Sequence, residues 1–78
     1  MSFEQFEGTL EDLSKCIVVT LNDSNGMTYY ARKIKKEGNF VTLIDIRECE
    51  AANLGRRRFG FSKKMTINTN KIESIEYP

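Results

Sequence analysis

Residues 56–71 contain six basic side chains, Arg56, Arg57, Arg58, Lys63, Lys64 and Lys71, and no acid. Cations at that density attract phosphate. The plainer alternative is a solvated hairpin tip carrying solubilising charge. Other chemistry is poorly supplied. Histidine is absent, which removes the commonest general base and metal ligand. Cys16 and Cys49 are the only cysteines. Two thiols without histidine do not make a tetrahedral zinc site within one chain. Both are expected as partly buried thiols behaving as small apolar groups, although their spacing also permits a single disulfide. Acidic pairs such as Glu73 and Glu76 are too close in sequence on one strand to suggest more than solvated charge. With no glycine-rich phosphate loop either, the expectation is a protein without catalytic activity, metal or cofactor.

The net charge of +1 is unevenly spread. Residues 1–14 carry Glu4, Glu7, Glu11 and Asp12 and no base, while all twelve Lys and Arg follow, against seven acids. Seventy-eight residues form one domain at most, taken here as residues 1–78. Burial is marginal at this size, so a partner is a natural source of stability. No apolar run is long enough for a membrane-spanning helix. The first residues lack a basic stretch followed by an apolar one, so a cytoplasmic location with reduced thiols is expected.

The elements that must position these residues follow from hydrophobic period. Phe3, Phe6, Leu10 and Leu13 recur at helical spacing, predicting a helix over about 2–14, with Gly8 as a weak point. From residue 15 the period falls to two. Strands are predicted over 16–21, 27–35, 40–47, 57–67 and 71–77. Asn25-Gly26 and Gly38-Asn39 mark tight turns. Residues 48–56 read as a loop that ends at Arg56, with Arg57 and Arg58 opening the fourth strand. Asn68-Thr69-Asn70 suggests a short turn or one turn of 3₁₀ helix. Adjacent Tyr29 and Tyr30 must face opposite ways. The third strand is apolar on both faces and therefore central. The fold class is mainly β: an N-terminal helix, then a five-stranded, strongly bent antiparallel open barrel over about 15–77. Its last two strands are the exposed edges.

Three segments carry a family resemblance. Gly38-Asn39-Phe40-Val41-Thr42-Leu43-Ile44-Asp45 is similar to the turn and third strand of the first Sm motif. Residues 64–75, from Lys64-Met65-Thr66 to Glu73-Ser74-Ile75, are similar to the second motif, in which two short strands flank a polar turn. Leu21 to Gly26 resembles the family's first turn. The chain thus resembles the Sm/LSm family, including its bacterial host-factor branch, over nearly its whole length. Val41 stands where the family has a polar asparagine, and Asn68-Thr69-Asn70-Lys71 replaces its basic turn signature.

The resemblance implies an SH3-like barrel and a homo-oligomeric ring made through the fourth and fifth strands. It also implies single-stranded RNA at the inner loops, residues 36–40 and 68–71. Asn39, Phe40, Asn68, Asn70 and Lys71 would then supply hydrogen bonds, a stacking face and a cation. The plainer reading makes Phe40 a core residue and the asparagines turn formers. Arg56, Arg57, Arg58, Lys63 and Lys64 would add phosphate affinity away from the pore. The alternative is a protein-interaction adaptor on the same barrel, without RNA.

Overall fold

A computed structural model describes residues 13–52, 55–59 and 63–78. The predicted helix lies outside these residues except at its end, where Leu13–Lys15 form a single 3₁₀ turn. Six strands follow: β1 (Ile17–Leu21), β2 (Thr28–Glu37), β3 (Phe40–Ala51), β4 (Gly55–Arg58), β5 (Lys64–Asn68) and β6 (Ile72–Glu76). A 3₁₀ turn at Thr69–Lys71 separates the last two. All pairings are antiparallel.

The sheet is ordered β4-β3-β2-β1-β6, and β5 pairs with β3 beside β4. The expected fourth strand therefore exists as two pieces laid along one neighbour. Glu48 faces Arg58 and Ile44 faces Lys64. Four steps of β3 thus oppose six steps of the partner chain. β3 is central, as its apolar faces predict, but it runs four residues beyond the expected end at Arg47. The segment read as a loop over 48–56 is mostly paired strand, so Arg56 sits within β4 rather than on a loop, alongside Arg57 and Arg58, which the predicted strand over 57–67 already included; a loop placement of all three, as the resemblance implies, does not hold. Sequence reasoning missed this because acids at 48 and 50 look solvated until the arginines opposite them are counted.

The sheet is open. Among the described residues β6 pairs only with β1 at one edge, and β4 and β5 pair only with β3 at the other. The β2–β3 ladder slips by one residue between Tyr30 and Ala31. Such a bulge sharpens the local twist. The buried residues of β2 on its two sides, Tyr29 and Ala31, keep one parity, and Ile34 further along is half-buried. On β3, Asp45 takes a left-handed backbone with φ +57°, a region asparagine and aspartate tolerate better than most residues. Arg47 Nη1 donates to Asp45 Oδ1 at 3.0 Å across this bend.

Val19, Tyr29, Ala31, Val41, Leu43, Ile46 and Ile67 form one core drawn from β1, β2, β3 and β5. Partly buried Ile17, Leu21, Ile34, Met65, Ile72 and Ile75 pack around it. Cys16 is buried, Cys49 is half-buried, and both are thiols. Glu37 pairs with Phe40 across Gly38-Asn39, a two-residue hairpin loop with φ +56° at its glycine. Glycine at the first central position fits the II′ turn that matches strand twist.

Candidate nucleic-acid interface

Two places in the sheet gather the residues singled out from sequence. The first is a junction of turns. The β2–β3 hairpin ends at Asn39, whose carbonyl accepts a 2.8 Å hydrogen bond from Thr69 N–H. Phe40 pairs with Asn68 across β3 and β5. The Asn68 side chain accepts from Asn70 N–H at 3.1 Å and so caps the 3₁₀ turn. Asn22, from the β1–β2 turn, braces the same place: its N–H donates to the Lys71 carbonyl at 3.0 Å and its Nδ2 to the Asn70 carbonyl at 2.9 Å. Three separate turns are thereby fixed to one another. Asn39, Phe40, Asn68, Asn70 and Lys71 all belong to this junction.

Phe40 is 50 % exposed there, which corrects the core reading of this residue. Its neighbour Val41 takes the core place instead, at 1 % exposure. The reason is the hairpin: the first residue after a two-residue loop lies at the end of the sheet, and alternation then sends Val41 inward. Asn39, Asn70 and Lys71 are exposed as well. The arrangement offers a flat aromatic surface, amide groups and a cation held on braced backbone. Asn68 spends its side-chain oxygen on the turn, so its geometric role is established.

The second place is β3 against β4, eight residues along β3 from Phe40, or about 26 Å at strand rise. The arginine run is divided there by the pleat. Arg58 faces Glu48, Arg56 faces Glu50, and Arg57, between them, faces Cys49 on the opposite side. Glu48 is buried at 2 % exposure. Its Oε2 accepts from Arg58 Nη2 at 3.4 Å. Its Oε1 lies 3.2 Å from Arg56 Nε but accepts no directed hydrogen bond, so charge alone holds that oxygen. Arg56 Nε and Nη2 donate instead to Glu50 Oε1, at 3.3 and 3.2 Å. Tyr30 Oη donates to the same oxygen at 3.4 Å. Arg56 and Arg58 are therefore engaged within the chain.

The tyrosines divide as alternation requires. Tyr29 is buried and Tyr30 half-buried. Loss of water pushes both phenols above their ordinary value, helped at Tyr29 by Cys49 and Asp23 and at Tyr30 chiefly by Glu50.

Arg57, Lys63 and Lys64 are different. All three are exposed, and no ion pair engages them among the described residues. The Arg57 guanidinium carbon lies 6.0 Å and Lys63 Nζ 5.4 Å from the ring centre of Phe59. Phe59 was not anticipated as a site residue; its alternation with Met65 and Ile67 suggested only core. An open groove of about 210 Å³ lies beside Arg57, lined also by Met27, Cys49, Glu50, Ala51 and Gly55. Among the described residues, no three acidic or thiol groups come together as a metal site, and no helix is long and apolar enough to cross a membrane. Compared with known proteins, the chain matches no family model, no curated protein and no solved structure.

Proposed function

We propose that the chain is an Sm-like, ring-forming RNA-binding module without catalytic activity, its strands bent into an SH3-like open barrel. The observation that carries this reading is the braced junction of turns, with half-exposed Phe40 beside exposed Asn39, Asn70 and Lys71. An aromatic face for stacking, amides for base edges and a cation for phosphate are what single-stranded recognition requires. Strand order supports it too. With β4 and β5 counted as one interrupted strand, the two free edges are the fourth and last strands. Their charges differ in sign: Arg57 of β4 is exposed and joined to no ion pair among the described residues, and β6 carries Glu73 and Glu76 with no base. A head-to-tail contact between them closes into a ring when its rotation permits.

The test is titration of labelled 16-nucleotide oligo(rU) and oligo(rA), followed by anisotropy, with solution mass measured by light scattering. Binding at low salt that falls steeply with salt is expected, together with a mass several times that of the chain. Phe40→Ala is expected to weaken binding about tenfold, in line with stacking energies of ~1–3 kcal/mol per base. An oligonucleotide that never binds would end the RNA reading.

One observation favours the alternative, a protein-interaction adaptor on the same scaffold. Val41 is buried and apolar where the resembled motif has a polar group. A chain that stays monomeric, ignores RNA and captures a protein strand at β6 would fit that role.

A further inference from the structure

We propose that Arg57, Phe59 and Lys63 form a second seat, distinct from the turn junction, that holds the phosphate backbone of a single-stranded nucleic acid. The inference rests on the RNA reading above. It begins with the pleat of β4. Arg56 and Arg58 turn toward Glu48 and Glu50 and are neutralised there. Arg57 turns to the other side, level with Cys49, where no carboxylate engages it among the described residues. Lys63 reaches the same ring from the far side of the gap between β4 and β5. Backbone hydrogen bonds fix both approaches to β3: Phe59 N–H donates to the Arg47 carbonyl and Ile46 N–H to the Lys63 carbonyl, each at 3.0 Å.

Two cations thus meet on one aromatic ring. Attraction to the face of the π-system holds each of them, while their mutual repulsion is left without a counter-charge. An anion bound between them removes that imbalance. The chemistry of the anion follows from the setting. A planar guanidinium fork and an ammonium suit phosphate oxygens. The adjoining groove is open, so it does not enclose a small free anion. An extended ligand, touching the surface at intervals and leaving the rest in water, suits it better. Exposed Lys64 follows Lys63, and Asn68 of the turn junction lies five residues on, about 17 Å along the strand.

The experiment uses the full chain and the same labelled oligo(rU) and oligo(rA) from 25 to about 200 mM KCl. Each phosphate contact to a single strand contributes about −0.7 to the slope of log K against log salt. Arg57→Gln with Lys63→Gln is expected to flatten the slope by about 1.4 and to weaken both oligonucleotides alike. Phe40→Ala is expected to weaken binding while leaving the slope unchanged. Circular dichroism melting checks that the double variant is folded; should it not fold, Lys63→Gln alone is expected to flatten the slope by about 0.7. If the wild-type chain binds and the slope survives these substitutions, the seat is overturned and the stacking site stands. If the wild-type chain binds neither oligonucleotide, both readings fall together.

Discussion

Glu48 shows how one buried charge organises its surroundings. Its carboxylate is almost wholly removed from water, a position that ionised groups take only when paired. The pairing is unequal, because Arg56 and Arg58 remain 60 % and 42 % exposed while the acid does not. Water therefore pays for the arginines but not for the glutamate. Removing the acid lets both arginines relax into solvent. Removing both arginines strands a charge inside the sheet. Arg56→Gln with Arg58→Gln is accordingly expected to cost about 3 kcal/mol, the lower end of the range for orphaning a buried charge. Glu48→Gln should cost less than half as much. Urea denaturation measures both, and equal losses would contradict the asymmetry. The same reasoning reassigns the arginine run: Arg56 and Arg58 support the fold, and Arg57 is available to a ligand.

Among the elements, the β2–β3 hairpin matters most, because it presents Phe40. Its loop has only Gly38 and Asn39, and Gly38 sits at φ +56° with open space where a side chain would begin. Crowding is thus no obstacle to substitution, and the penalty is one of backbone conformation alone. Gly38→Ala is expected to cost about 1–2 kcal/mol in thermal or urea unfolding. An alanine variant as stable as the parent would mean the loop takes another turn type. This hairpin was legible in the sequence, as were β1, β2 and the short final strand, because glycine and asparagine turns bound them and β-branched or aromatic residues fill them. The end of β3 was not. Glu48 and Glu50 break an apolar pattern that continues in the backbone, and only the cross-strand arginines explain why. The gap between β4 and β5 was equally hidden, because Phe59, Met65 and Ile67 keep one alternation across it. At the site, the neighbourhood of Asn39 with Asn70 followed from the resemblance, but the bracing by Asn22 and the exposure of Phe40 required the hydrogen-bonded register.

At the scale of the whole molecule, the open sheet ends in two strips of opposite sign. β4 offers Arg57, its neighbours Arg56 and Arg58 being tied to Glu48 and Glu50, and β6 carries Glu73 and Glu76, both exposed. Unpaired strand edges invite pairing, and like charges set opposite each other across strands oppose it. Glu73→Lys with Glu76→Lys is expected to lower the light-scattering mass of the assembly toward that of a single chain, without lowering the cooperativity of unfolding. An unchanged mass would show that these edges do not meet.

The gap between β4 and β5 carries one more implication. Six steps of chain stand opposite four of β3, and the surplus is even. Inward and outward positions therefore keep the same parity on both sides of the interruption, which is how Ile67 stays in the core while Arg57 and Phe59 share its side of the alternation. Shortening the connection by a pair of residues would preserve that phase. Excising a single one would break that phase, so either the connection or the pairing of β5 with β3 must absorb the odd residue; an unchanged core at Ile67 would place the adjustment in the connection.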